Sequence, residues 1–322
     1  MKVSVVIPAY NCARTIATTL QSVFEQSRQA DEIIVLDDGS KDETAEIIRS
    51  LGRDVTLLSH ANAGAAASRN ALCRAAQGDL IAFLDADDLW HPSYLAVQTE
   101  NYRTNPDAVG FFTSHVTIRG NDAHVWAAED TRSPLETERI LGLSFLRLYN
   151  SAPGRFNLSW CCVTKSLLDQ LGPEPFREHM AEDWYFFNRL TLFGDVIVCP
   201  APLAAYRTQA GSLSSDPLKL SQAIVNACQA IRPAFQECKD PRFGRVFAEA
   251  VALKQRLHSK ILLNAGDLAE ARRYLTSAIH NSRDAKSMAK SAAMLLVTYL
   301  PNGLQPDWLA KHANWKGPRY SK

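Results

Sequence analysis

Along residues 3–84, short apolar runs alternate with stretches whose apolar positions recur at helical spacing. Val3-Ser4-Val5-Val6-Ile7 reads as a strand stopped by Pro8. Ile16, Leu20, Val23 and Phe24 then fall at i, i+4, i+7 and i+8, which places them on one helix face. Glu32 to Leu36 predicts a second strand, and a helix from Asp42 follows with Ile47, Ile48 and Leu51 as its stripe. Val55 to Leu58, Ala65 to Ala76 and Leu80 to Leu84 read as strand, helix and strand. This alternation predicts an α/β fold built on a mostly parallel sheet flanked by helices.

The pattern loosens over residues 107–206. Strand-like runs (Val109 to Phe112, Val196 to Cys199) are separated by polar stretches and by Pro173, Pro175 and Gly194. After Pro217 it changes again. Leu218 to Phe235, Phe243 to Leu263, Leu268 to Ile279 and Ala285 to Leu300 are alanine- and leucine-rich helical segments, and Asp267 is placed to cap the second member of a helical hairpin. No internal period accompanies the hairpin, so a repeat array is not expected.

Three predicted strands end in distinctive clusters: Pro8-Ala9-Tyr10-Asn11, Asp37-Asp38-Gly39-Ser40 and Asp85-Ala86-Asp87-Asp88. The carboxyl ends of strands in open α/β sheets form the ligand crevice, so these clusters are expected to meet at one edge. Asp85 and Asp87, two apart after an extended run, leave on the same face and suit a hard divalent cation that keeps water and phosphate as its other ligands. Asp88 points the other way, to cap the next helix or brace its neighbours. An acidic turn with a helix cap is the plainer reading of that cluster; the convergence of the other two favours a ligand site. Asp37 and Asp38 can accept hydrogen bonds from a base or ribose, with Gly39 allowing close backbone approach, although Asp, Gly and Ser also suit an ordinary turn. Arg69, one turn into the third helix, can meet a phosphate or sit on the surface. Glu182-Asp183, ahead of Trp184, Tyr185, Phe186 and Phe187, is either a charged helix start or a general base in an aromatic surround.

Composition narrows the partners. The chain has 322 residues, 46% hydrophobic and 21% charged, with a net charge of +1, so no bulk attraction to nucleic acid is expected. Its seven cysteines show no paired metal-site spacing. The amino terminus runs straight into a strand pattern, which predicts no signal peptide and a reducing, cytoplasmic setting. On that expectation the sequon Asn157-Leu158-Ser159 carries no meaning. No apolar run reaches the ~20 residues that span a bilayer. Neither a G-x-G-x-x-G after the first strand nor a G-x-x-x-x-G-K-[ST] occurs, which disfavours dinucleotide-binding and P-loop proteins.

Taken in order, "VSVVIPAYNCARTIATTLQSVFEQS", "EIIVLDDGSKDET", "NAGAAASRNALCRAAQGDLIAFLDADD", "EDWYFFNRLTLFG" and "YRTQAGSLS" resemble the motifs of family 2 glycosyltransferases with the GT-A fold. The likeness covers roughly Lys2 to Ser215. It implies a GT-A catalytic domain over 1–216, with a nucleotide-sugar-binding half (1–106) and an acceptor-side half (107–216), followed by an α-helical region over 217–322. It implies an inverting transfer from a nucleoside-diphosphate sugar, a UDP-sugar first, to a saccharide or lipid-linked acceptor, with Mn²⁺ or Mg²⁺ as cofactor. By that resemblance Pro8, Ala9 and Tyr10 flank the nucleoside and Asp37 or Asp38 meets base or ribose. Arg69 lies near the nucleotide, Asp85 near ribose and metal, Asp87 on the metal, and Asp183 is the catalytic base. Asp88, Glu182, Trp184 and Arg207 are secondary candidates, as is Gln209, which stands where many members carry a histidine. Bacterial relatives often build cell-surface polysaccharides. Two other readings remain open: a metal-dependent nucleotidyltransferase, and a non-catalytic nucleotide-sugar-binding scaffold. The basic residues Arg283, Lys286, Lys290, Lys311, Lys316, Arg319 and Lys322 permit peripheral membrane contact, though solvated helix faces explain them as well.

Overall fold

The computed structural model describes residues 1–52, 54–119, 136–151, 154–177, 180–208 and 216–300. The chain divides into two units: Met1–Phe145 with Gly154–Ser212, and Leu146–Pro153 with Leu213–Lys322.

The first unit holds β1 (Val3–Ala9), α1 (Ile16–Phe24), β2 (Glu32–Asp37), α2 (Thr44–Ser50), β3 (Thr56–Ser59), α3 (Ala65–Ala75), β4 (Leu80–Phe83), β5 (Leu89–Trp90), α4 (Tyr94–Thr104), β6 (Gly110–Arg119), β7 (Glu138–Ile140), the start of α5 (Gly142–Ser151), β8 (Cys161–Thr164), α6 (Lys165–Leu171), α7 (Glu182–Leu190) and β9 (Val196–Thr208). Its sheet runs β3-β2-β1-β4-β8-β6-β9-β5, with β7 also paired to β9. The β3-β2-β1-β4 half is parallel, as the strand and helix alternation requires. β8 enters antiparallel between β4 and β6. Val3, Val5, Leu80 and Ala82 on one face and Val6 and Ile81 on the other are fully buried, because both faces of a parallel sheet are covered. β1 does not stop at Pro8 but continues to Ala9, with Pro8 opposite Leu36. Val6 accepts the N–H of Leu84 on the β4 side, and Pro8, two residues on, faces that same side beyond the last β1–β4 pair. Its missing N–H therefore leaves no ladder bond unmade.

The second unit holds the end of α5 and four helices, α8 (Pro217–Gln236), α9 (Pro241–Asn264), α10 (Leu268–Asn281) and α11 (Ala285–Val297). An aspartate caps each of the four: Asp216, Asp240, Asp267 and Asp284 accept N–H groups from the first turns, and proline opens α8 and α9. The expected hairpin is α9–α10, turned by Gly266 at φ +82° and capped by Asp267. Val225, Leu262, Leu263, Ala271 and Tyr274 form the core of this unit. Among the described residues no helix is long and apolar enough to cross a membrane.

Candidate active site

The parallel register sets Ala9 beside Asp37 and Val6 beside Phe83, so the turns that leave β1, β2 and β4 gather at one sheet edge. These turns are fastened to one another. Asn11, at φ +47°, donates its N–H to Ser40 Oγ (2.9 Å) and accepts the N–H of Lys41 at Oδ1 (2.8 Å). Cys12 N donates to Thr44 Oγ1 (2.9 Å) and Ala13 N to Asp42 Oδ2 (3.1 Å). Above them Tyr10 is 48% exposed, while Ala9 is buried and Pro8 half-buried, which leaves the Tyr10 ring free to meet a flat ligand.

The two aspartates after β2 hold the edge together. Asp37 accepts the N–H of Ser40 (3.0 Å) and stays buried. Asp38 accepts the N–H groups of Ala63 (2.7 Å) and Gly64 (2.9 Å) on its two oxygens and lies 3.3 Å from His60 Nδ1. Both of its oxygens thus serve the entry to α3. Gly39, at φ +72°, is needed for the same contact: a Cβ there would lie 2.9 Å from Asn62 N. The close approach foreseen at this glycine is made by the 60–62 backbone.

Asp85, Ala86, Asp87 and Asp88 lie beyond β4, which ends at Phe83, in a turn closed by Asp88 N to Asp85 O (3.1 Å). The turn, and not the alternation of an extended strand, therefore brings Asp85 and Asp87 together. Asp88 is 1% exposed and braces the turn. It accepts the backbone N–H of Arg207 (2.9 Å) and has the Ser159 side chain near it, while Ser93 precedes α4. Arg207 Nε donates to the Asp87 carbonyl (2.7 Å), and Asp85 N donates to Ser159 Oγ (3.1 Å). Burial and then the Asp85 charge push the Asp87 carboxyl up to about 6, against the pull of Arg207 and Arg69. Burial, with Asp87 and Asp85 beside it, pushes Asp88 well above the ordinary carboxylate range.

Arg69 joins this turn to the start of α7. Its guanidinium is 2.6 Å from Asp85 and 2.6 Å from Glu182, with only 8% of its side chain exposed. Both terminal nitrogens are thus held by carboxylates. Asp183 follows on the first turn of α7, its Oδ1 accepting the N–H of Trp184 (2.6 Å). Burial and then Glu182 raise the Asp183 carboxyl to about 6, with the Trp184 N–H and the Arg69 charge acting against them. Trp184, Tyr185, Phe186 and Phe187 are all buried, and Phe186 stacks on Phe176 at 4.4 Å, so α7 is anchored firmly behind its acidic end. Gln209 lies outside the described residues, as do Lys311, Lys316, Arg319 and Lys322.

Two supports of the site went unseen in the sequence. Ser159 is fully buried beneath the Asp85–Asp88 turn, and Asn157 Oδ1 accepts its N–H (3.0 Å). The sequon residues thus have a structural use. Asn70 exchanges two hydrogen bonds with the backbone of Phe176 (2.9 and 3.0 Å), tying α3 to the segment before α7. Its place next to Arg69 was the one hint that the sequence offered.

A parallel half-sheet ending in acidic turns, an antiparallel β8 and an acid-led α7 define a fold of the GT-A class. The crystal structure of S. aureus TarS 1-349 in complex with UDP-GlcNAc matches it with a TM-score of 0.69, over 93% of this chain and 89% of that one, at 18% identity. At that identity the likeness is one of fold. The chain belongs to glycosyl transferase family 2, whose profile matches residues 4–210. It is 37% identical to an uncharacterized glycosyltransferase of Nostoc sp. over 70% of this chain and 72% of that one. It is 38% identical to the Escherichia coli UDP-Glc:alpha-D-GlcNAc-diphosphoundecaprenol beta-1,3-glucosyltransferase WfgD over 67% of this chain and 81% of that one. The protein is a glycosyltransferase, and the nucleotidyltransferase and scaffold readings give way.

Proposed function

We propose that this enzyme transfers a sugar, with inversion, from a nucleoside-diphosphate sugar, a UDP-sugar first, to a hydroxyl of a saccharide or lipid-linked acceptor in the cytoplasm, during assembly of a cell-surface polysaccharide or glycoconjugate. The observation that carries this reading is the Arg69 bridge. One buried cation ties the Asp85–Asp88 turn to the helix that bears Asp183.

The residues divide the work. Tyr10, beside Pro8 and Ala9, takes the nucleoside, and Asp37 orders the turn beneath it. Asp183 Oδ1 is engaged by Trp184. Its Oδ2 takes the proton of the acceptor hydroxyl as that oxygen bonds to the anomeric carbon and the nucleoside diphosphate departs on the opposite face. A carboxyl raised to about 6 is ionised at neutral pH yet basic enough to accept that proton. Glu182 and Arg69 hold the base in place.

The donor set fits a hard cation. Three carboxylates stand in four residues, and burial, then the Asp85 charge, holds the Asp87 carboxyl up. Among the described residues no group of three or more histidines, cysteines or acids is arranged to hold a metal by itself. Asp87, with Asp85, would therefore hold Mn²⁺ or Mg²⁺ jointly with diphosphate and water, and the ion would offset charge on the departing group. The test is release of nucleoside diphosphate from a panel of sugar nucleotides, with and without Mn²⁺ and a saccharide acceptor. Turnover of one donor that needs both metal and acceptor supports the reading. No turnover of any donor, with binding of none, would sink it.

A further inference from the structure

In the second unit, α11 turns an unusual face outward. Of its residues only Ser291 is buried, so the face opposite Ser291 is exposed. That face carries Ala289, Ala293 and Leu296, the last 70% exposed, and Met288, 43% exposed, stands at its border. Leu296 is the most exposed large apolar side chain among the described residues, and Tyr299 follows at 65%, with the Arg272 guanidinium 4.1 Å from its ring centroid. An outward helix face is normally charged, and this one is apolar.

The helix itself is cationic and lacks acids. Lys286 and Lys290 stand at one edge of the apolar face, and no Asp or Glu occurs between Ala285 and Leu300. Just before α11, Arg283 joins Arg147 and Arg245 around a groove of about 380 Å³ floored by Leu146, Val246 and Leu253. Among the described residues none of these three arginines makes an ion pair, while Glu249 and Asp284, also on the groove, accept N–H groups at the α10–α11 turn. The sequence keeps that sign to its end: residues 285–322 carry six lysines and arginines against one aspartate, in a chain whose net charge is only +1. Positive charge is therefore concentrated around an apolar face. A second copy of the same face would repel the first. An anionic lipid surface accepts both features at once, with lysines at the headgroups and leucine, methionine and tyrosine among the upper acyl chains.

We infer that the outward face of α11 docks this protein on an anionic phospholipid bilayer. The inference stands apart from the transfer reaction, because vesicle binding needs neither donor nor acceptor.

The experiment is flotation of the full chain with vesicles of phosphatidylglycerol and phosphatidylcholine, and with phosphatidylcholine alone, at low and high salt. Lys286→Glu/Lys290→Glu should weaken binding to the anionic vesicles at least 25-fold, about fivefold for each charge lost. Leu296→Ser should weaken it several-fold without changing its salt dependence. Both substitutions are at exposed positions and should leave the melting temperature and the release of nucleoside diphosphate from a soluble donor unchanged. That readout separates loss of docking from loss of the enzyme. Equal binding to neutral and anionic vesicles, or full anionic binding by both variants, overturns the inference. So does a dimer that Leu296→Ser dissociates while vesicle binding persists.

Discussion

Replacing Arg69 by glutamine tests whether one cation serves both halves of the site. Asp85 and Glu182 would be left facing a neutral amide, with 28% and 12% of their side chains exposed. Removing one partner of a buried ion pair costs about 3–5 kcal/mol, and the partial exposure of Asp85 places the expected loss near ~3 kcal/mol. For a chain of 322 residues that is a fall in melting temperature of roughly 4–5 °C. The catalytic signature is separate. The Arg69 charge is among the influences that lower the Asp183 carboxyl, which without it rises above about 6. A base with a higher pKa ionises later, so the acid limb of kcat moves to higher pH, and more rate is lost at pH 6.5 than at pH 8.5. Differential scanning fluorimetry and nucleoside-diphosphate release from pH 5 to 9 read the two effects. Arg69→Lys, which keeps the charge but loses the fork, should melt lower while holding the limb nearly in place. An unchanged melt, or a limb displaced to lower pH, refutes the reasoning.

Asp183→Asn keeps size and hydrogen bonding but cannot take a proton, so kcat should fall about 10²–10⁴-fold with donor affinity nearly unchanged; near-normal turnover with a productive acceptor would show that another group is the base. Because the Asp87 carboxyl is raised to about 6 and must ionise to hold a cation, Mn²⁺ affinity should be flat above pH 7 and fall up to about tenfold per unit below 6. Calorimetry on the native chain and on Asp87→Ala checks this, the variant being expected to bind weakly at every pH. Gly39→Ala forces a side chain into left-handed backbone against Asn62 N and should cost at least about 1–2 kcal/mol, measured by chemical denaturation.

Much of the first half-sheet was legible, because parallel strands buried on both faces announce themselves as apolar runs. Parallel strands end on the same side, so the turns that follow them fall at one edge. The middle of the chain hid its strands for identifiable reasons. β8 is four buried residues with no alternation. β9 carries Pro200 and Pro202 inside a 13-residue strand, where they read as breaks. They sit where the pairing with β6 slips: Phe112 opposes Val198, while Ser114 opposes Pro202, so the sheet absorbs both prolines in an irregularity. In the candidate site, the residue types stood out but their partners did not. Arg69 meets Glu182 across 113 positions of sequence, and Asp88 meets the Arg207 backbone across 119. No local pattern encodes such pairings. Asp38 shows the same limit, since its carboxylate looked available to a ligand while its partners, Ala63 and Gly64, lie 25 and 26 residues on.

The fastening of the strand-end turns has an electrical consequence. In many nucleotide-binding folds the first N–H groups of a helix point at the phosphates. Here Asp38 caps the entry to α3, Asp42 takes the N–H groups of Ala13 and Thr44, and the Cys12 carbonyl receives those of Thr15 and Ile16. The N–H groups of Gly64, Ile16 and Thr44 are thus spent inside the fold, and Asp38 and Asp42 place negative charge at the entries to α3 and α2. Two of these helix entries therefore carry negative charge where other folds offer a cradle for an anion, a contrast made by hydrogen bonds within the turns themselves.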